Sequence, residues 1–288
     1  LARNIQQALS GMNSSCPTPS NPVFDLRDVA FHYSTRSGGT QDWTVQGLSL
    51  QIQAGEFLGV IGPNGSGKST LLKLLAGVLQ AHQGTLHVKG TPITKIKPSA
   101  LAKMVGYVPQ ETHQTFPFTV AEIVLMGRFA HLQAGGGGFH WEGDEDWQVA
   151  NHAMKDLNVD HLADRLISQI SSGERQRAVI ARALTQQPEI LLLDEPTAFL
   201  DLSHQLEIAR ILQRLNREQG LTVILVSHDL NLASQYCQRL MLMSKGRISH
   251  IGTPEEVIRV ERLEEVYGCS VLIDQHPQSG MPRVTLPV

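Results

Sequence analysis

The residues best suited to chemistry are Gly62-Pro63-Asn64-Gly65-Ser66-Gly67-Lys68-Ser69, which fit the phosphate-cradling pattern GxxxxGK(S/T), with Thr70 following. Glycines let backbone N–H groups converge on phosphate oxygens without Cβ clashes, and a helix N-terminus adds a favourable dipole. Lys68 supplies a mobile positive charge for the β- and γ-phosphates, and the Ser69 hydroxyl is placed to ligate Mg²⁺. Average residue frequencies give such a match by chance roughly one time in a hundred in a chain of this length. The flanks lower that further: Phe57 to Ile61 reads as a strand and Thr70 to Leu75 as a helix, the context the motif needs. The expected ligand is a nucleoside triphosphate.

A second constellation lies in the other half of the chain. Ile190-Leu191-Leu192-Leu193-Asp194-Glu195 is a buried-type strand ending in two carboxylates. That arrangement suits an Asp that holds Mg²⁺ and a neighbouring acid that orients the attacking water. The carboxyl end of a strand is also where open α/β sheets bind ligands. About twenty residues earlier, Ile170-Ser171-Ser172-Gly173-Glu174-Arg175-Gln176-Arg177 offers a Ser hydroxyl and Gly backbone at a helix N-terminus, a second anion site. Taken singly, Gln110, His228 and Tyr33 read as a loop polar group, a satisfied histidine and a strand aromatic.

The elements that must position these groups follow from periodicity. Val23 to Tyr33 suits an edge strand and Trp43 to Ile52 a second strand, a small antiparallel layer against the nucleotide core. A helix follows over Leu71 to Leu79, then short strands at Thr85 to Val88 and Met104 to Val108. Helical pieces at Val120 to Met126 and Trp147 to Leu157 flank a Gly135 to Gly138 loop and an acidic Glu142 to Asp146 run, read as a solvated helix entry. From Ser171 the pattern alternates helix and strand: Glu174 to Thr185, Ile190 to Leu193, Leu202 to Arg217, Thr222 to Val226, Leu230 to Tyr236 and Arg239 to Met243, with a hairpin strand at Arg247 to Ile251. Alternation of this kind implies a mostly parallel sheet covered by helices.

Composition restricts the function classes. The 288 residues carry 41% hydrophobic and 18% charged residues with a formal net charge of -3, ordinary for a globular protein, and give no electrostatic reason to expect nucleic acid. Cys16, Cys237 and Cys269 lack CxxC spacing, which points to a reducing cytosol. The longest apolar stretches fall far short of the roughly 20 residues that span a bilayer, so a membrane role is expected to be peripheral. Asn13 to Pro22 is rich in Ser, Pro and Asn and reads as disordered or as a start-site extension, with Met12 an alternative start.

The Ile170 to Arg177 segment is similar to the LSGGQ signature of ATP-binding cassette (ABC) ATPases, departing from it at Ile170, Ser172 and Glu174. The resemblance implies an α/β fold, an ABC-type P-loop ATPase core with a mostly parallel sheet, an antiparallel β subdomain and a helical subdomain at about 111–170. It sets the domain over 23–267, with 1–22 as the extension and 268–288 as a C-terminal extension. It makes Gln110 the Q-loop glutamine reaching Mg²⁺ or its water, Ala198-Phe199-Leu200-Asp201 the D-loop, His228 the switch histidine at the γ-phosphate, and Tyr33 the aromatic that stacks on adenine. Ser171 and Gly173 then complete the nucleotide site of a second copy, so that ATP and Mg²⁺ sit between two chains arranged head to tail. Glu195 is the base or water-orienting group, with His228 its partner and Lys68 a charge stabiliser.

Val105 to Gln110, Phe116-Pro117-Phe118-Thr119-Val120, Val124 to Arg128 and the ending His276 to Val284 are similar to the importer ATPases for iron-siderophore, haem and cobalamin. That likeness implies an ATPase homodimer at the cytoplasmic face of the inner membrane, beneath two separate permease subunits, with a substrate-binding protein acting indirectly. Phe116, Phe118 and Val120 are the expected groove for the permease. The rival class is a soluble ABC ATPase in assembly or DNA-associated work; the long coiled-coil insert, second cassette or basic face that would favour it is not apparent.

Overall fold

Apolar runs without polar alternation belong to strands buried on both faces, and four of them build the centre of this protein. The computed structural model describes residues 22–33, 43–110, 116–131 and 143–287. Most of the Asn13 to Pro22 stretch, Cys16 and the Gly135 to Gly138 run lie outside the described residues. In chain order the elements are β1 (Phe24–Phe31), β2 (Val45–Ile52), β3 (Phe57–Ile61), α1 (Lys68–Leu75), β4 (Gln83–Val88), β5 (Thr91–Pro92), α2 (Pro98–Met104), β6 (Val105–Val108), α3 (Val120–Leu125) and α4 (Asp144–Asp156). There follow α5 (Ser172–Leu184), β7 (Ile190–Asp194), α6 (Leu202–Gln219), β8 (Thr222–Val226), α7 (Leu230–Tyr236), β9 (Arg239–Ser244), β10 (Arg247–Gly252), α8 (Pro254–Val257), α9 (Val260–Tyr267), β11 (Leu272–Gln275) and β12 (Pro282–Thr285).

The central sheet has six strands in the order β10-β9-β3-β8-β7-β6, parallel throughout except for the β9–β10 hairpin. Because strand side chains alternate, each buried strand feeds two separate cores. Phe57, Leu191, Leu193, Val223, Leu225, Leu240 and Leu242 enter the core shared with α3 to α7. Leu58, Val60, Ile190, Leu192, Ile224, Val226, Met241 and Met243 enter the other, closed by α1 and the antiparallel sheet β2-β1-β4-β5. The expected antiparallel layer is therefore present, but β1 is not its edge. It pairs with β2 on one side and β4 on the other, the second partner lying some sixty residues away in sequence. The helix expected to reach Leu79 ends at Leu75, where Gly77 turns the chain with φ +69.

On the far face α3, α4 and α5 pack on one another. The entry to α3 is a capping box, with Thr119 Oγ1 accepting from Glu122 N at 3.2 Å and Glu122 Oε2 accepting from Thr119 N at 2.7 Å. Arg128 is buried between these helices, donating to Asp146 Oδ1 at 2.7 Å, Thr185 O at 3.1 Å and Gln187 Oε1 at 2.9 Å. The acidic helix entry is thus solvated only in part: Asp144 and Glu145 face water, whereas Asp146 neutralises a buried guanidinium. Val120 is fully buried and Phe118 packs against the core, so of the three residues expected to form a groove only Phe116, 67% exposed, faces outward. Beyond α9, the β11–β12 hairpin is fastened to α7 by Asn231, which bonds Val284 at both its N–H and C=O, and by the Ser234 hydroxyl to Pro282 O at 2.7 Å.

Removing Arg128 leaves the Thr185 carbonyl and the Gln187 amide oxygen without their donor and the partly exposed Asp146 without its counter-charge, at a cost of about 1–3 kcal/mol. Arg128→Met is expected to lower unfolding free energy by about that amount, and Arg128→Lys to recover little of it, since an ammonium cannot reproduce the forked donors. Urea denaturation measures both; a loss below about 1 kcal/mol for the Met variant would contradict the role given to Arg128.

Candidate active site

The carboxyl ends of β3, β6, β7 and β8 lie side by side, and the residues that follow each strand converge on one cavity of about 630 Å³. Thr44, Asn64 to Thr70, Gln110, Glu195, Ala198, Phe199 and His228 line it.

β3 delivers Gly62 to the loop with φ +144, and Gly65 and Gly67 also have positive φ, at +75 and +98. A Cβ on Gly62 would stand 2.2 Å from Met243 O, and one on Gly67 would stand 2.8 Å from Thr44 O, so neither position admits a side chain. Gly65 has open space where its Cβ would be, and Ser66 Oγ is buried without a hydrogen-bond partner among the described residues. Such a ring of backbone with an unsatisfied hydroxyl fits an anion at the start of α1. Pro63 and Lys68 complete the loop: Lys68 Nζ donates to Gly62 O at 2.8 Å and to Pro63 O at 2.9 Å. Burial lowers the Lys68 pKa, opposed by the nearby Glu195 and Asp194 carboxylates.

Asp194 ends β7 and accepts from Ser69 Oγ at 3.0 Å. Burial raises its pKa and the Ser69 hydrogen bond works against that shift. Among the described residues no cluster of three or more His, Cys, Asp and Glu could hold a metal unaided. An oxygen pair of this kind instead fits Mg²⁺, which is commonly bound by one or two protein oxygens together with substrate phosphates.

Glu195 is the node of the site. Its Oε1 meets His228 Nε2 at 2.5 Å and its Oε2 accepts from Gln110 Nε2 at 2.8 Å. Its backbone is held at φ +52 by an N–H bond to Val226 O at 3.1 Å, a left-handed conformation that costs a non-glycine residue on the order of 1 kcal/mol. Residues from the ends of β6, β7 and β8 thereby fix one carboxylate at the cavity wall.

Tyr33 does not line the cavity, but its hydroxyl stands 3.5 Å from Thr70 Oγ1, which does, and its ring packs edge-on against Phe31. Ser171 and Gly173 are not brought to the cavity of their own chain. Ser171 caps α5: its N–H and hydroxyl donate to Glu174 Oε2 at 2.8 and 2.7 Å, and the hydroxyl hydrogen bond lowers the Glu174 pKa. Ser171 and Ser172 are exposed, whereas Gly173 is buried.

Motif spacing missed Thr44, whose carbonyl closes over Gly67, because nothing just ahead of β2 marks it. It also gave no sign of Tyr267 of α9, whose phenol pKa burial pushes up to about 12 while the neighbouring Gly62 backbone works against that shift. Phe199, 93% exposed with φ +62 at the cavity mouth, was visible as part of the D-loop-like segment but not as a lining residue.

The ABC transporter family model matches residues 45–198. The chain is 40% identical over 251 residues to the uncharacterized ABC transporter ATP-binding protein YvrA of Bacillus subtilis, covering 87% of this chain but only 56% of YvrA. It is 39% identical over 239 residues to the petrobactin import ATP-binding protein FpuC of Bacillus anthracis, covering 82% of this chain and 85% of FpuC. A metal-chelate type ABC transporter solved in an inward-facing conformation superposes with a TM-score of 0.79 at 30% identity, covering 93% of this chain and 98% of that one. The family model spans more than half the sequence and FpuC is matched over most of its length, so the chain belongs to the ABC transporter family.

Proposed function

We propose that this protein is the ATP-hydrolysing subunit of an ABC importer, energising uptake of an iron chelate, haem or cobalamin through separate permease subunits. The observation that carries the hydrolytic reading is Glu195, held by Gln110 and His228 at the wall of the phosphate-loop cavity. The import reading is supported by FpuC, named for petrobactin import, and by the metal-chelate type transporter.

In this reading the backbone of Gly62 to Ser69, with Thr70, binds the phosphates and Tyr33 stacks on the adenine. Lys68 turns its ammonium to the β- and γ-phosphates, exchanging its bonds to Gly62 O and Pro63 O for phosphate oxygens. Ser69, Asp194 and Gln110 would hold Mg²⁺, which would supply positive charge against that building on the phosphate oxygens. Glu195 orients a water for in-line attack on the γ-phosphorus and takes its proton as the bond to the ADP oxygen breaks; His228 steadies both the carboxylate and the departing phosphate. Ser171 and Gly173 lie outside their own cavity, and in a head-to-tail homodimer they close the site of the other copy. The complex is placed peripherally at the cytoplasmic face of the membrane, with two permease subunits and a substrate-binding protein acting beyond them. No helix among the described residues is long and apolar enough to cross a membrane. The cassette occupies 23–267, with a helical part at about 111–170 and extensions on either side. Phe116, the outward-facing aromatic of the Phe116 to Val120 segment, supplies a permease contact.

Glu195→Gln keeps the shape of the carboxylate and removes its basicity. The variant is expected to bind ATP and accumulate a closed dimer by size-exclusion chromatography, with turnover at least about 100-fold lower; near-normal hydrolysis would sink the assignment. Phe116→Asp is expected to reduce permease co-purification while ATP binding by the isolated chain persists. Phe118 is unsuited to that test because it packs on the core. Undiminished co-purification would remove Phe116 from the interface.

A further inference from the structure

Gly173 is buried because a side chain covers it. A Cβ built on Gly173 would lie 2.0 Å from His204 Cδ2, 2.4 Å from its Cγ and 2.7 Å from its Nε2, so the imidazole occupies the space any larger residue would need. The ring is itself tethered: His204 Nδ1 lies 2.7 Å from Asp201 Oδ1. The same carboxylate oxygen accepts from the His204 backbone N–H at 2.9 Å and from the Ser203 hydroxyl at 2.8 Å. The His204 backbone bond, then the Ser203 and His204 side-chain bonds, hold the Asp201 carboxyl down at about 2. An ionised Asp201 accepts only, which makes Nδ1 the protonated ring nitrogen.

Asp201 caps α6 and ends the turn that begins at Glu195. That turn is braced by Ala198 N to Glu195 O at 3.1 Å and by Gln205 Nε2 to Thr197 O and Leu200 O at 3.2 and 3.1 Å. A continuous line of contacts thus runs from Glu195, in the cavity of this chain, through Asp201 and His204 to Gly173 beside the outward-facing Ser171.

We propose that His204 is a positioning residue that locks the Ser171 to Gly173 turn to the Glu195 to Asp201 turn, so that the surface offered to a second copy's nucleotide is set by the state of this chain's own site. The proposal rests on the two-copy site described above. It gives Gly173 a second reason to be glycine besides backbone approach to phosphate, namely room for an imidazole.

The test uses the full chain, reading equilibrium ATP binding, kcat and KM for hydrolysis, and the thermal midpoint. His204→Ala is expected to lower kcat by about tenfold or more with ATP affinity within about twofold of the unsubstituted chain. His204→Asn, whose side-chain N–H can take the place of Nδ1 against Asp201, is expected to recover most of that loss. Gly173→Ala is expected to lower the thermal midpoint, and adding His204→Ala to restore it by removing the clash. Unchanged kcat in His204→Ala, failure of Asn to rescue, or no restoration of the midpoint in the double variant would each overturn the proposal. Failure of the unsubstituted chain to bind or hydrolyse ATP would instead overturn the function it rests on.

Discussion

The constraint on which everything else depends is the two-sided burial of β3, β8, β7 and β6. Their side chains divide alternately between two apolar cores, which fixes register, since a one-residue slip would exchange every pair of neighbours between cores. With register fixed, the carboxyl ends fall in line. Asn64 to Thr70, Gln110, Glu195 and His228 follow four different strands and are far apart in sequence yet line one cavity, with Asp194 held beside it by Ser69.

The sheet also sets the electrostatics. Lys68 and Asp194 are both buried, and burial shifts each toward its neutral form, lowering the lysine and raising the aspartate. The Ser69 hydroxyl, the loop carbonyls and the mutual attraction of Lys68 with the carboxylates offset part of that cost. Groups held this way are poised for a charged ligand, because a triphosphate with its cation supplies opposite charges in a cavity where they are weakly screened. The left-handed Glu195 fits the same pattern: local strain persists where the Val226 carbonyl, Gln110 and His228 over-determine the position.

Much of this was legible in the sequence because it is local or periodic. The strand, loop and helix around Gly62 to Ser69, the continuous apolar runs of β7 and β8, and the Asp194-Glu195 pair each announce themselves within ten residues. What escaped depends on distant partners. The alternation in β1 shows a strand but not that β4 would pair along its second side. Asp146 looks like any solvated helix entry until Arg128 is brought beneath it. Val120 looks like a groove residue until the fold places it at zero exposure. The short helix α2 carried a readable signal, Pro98 at its first position, between the strands expected at Thr85 to Val88 and Met104 to Val108. The packing of His204 on Gly173 had no local signal, since the two are joined only by the approach of α5 and α6.

The central claim is that one active site is assembled from two copies of this chain. The most direct measurement mixes two inactive variants, one with Lys68→Ala and one with Ser171→Arg, and follows ATP hydrolysis as their ratio is changed. A site shared between copies predicts that hydrolysis, negligible in each alone, reappears on mixing and peaks near equal amounts, since each mixed dimer holds one intact pairing of phosphate loop and signature. Hydrolysis that stays absent at every ratio, or a Ser171→Arg variant that is fully active alone, would contradict it.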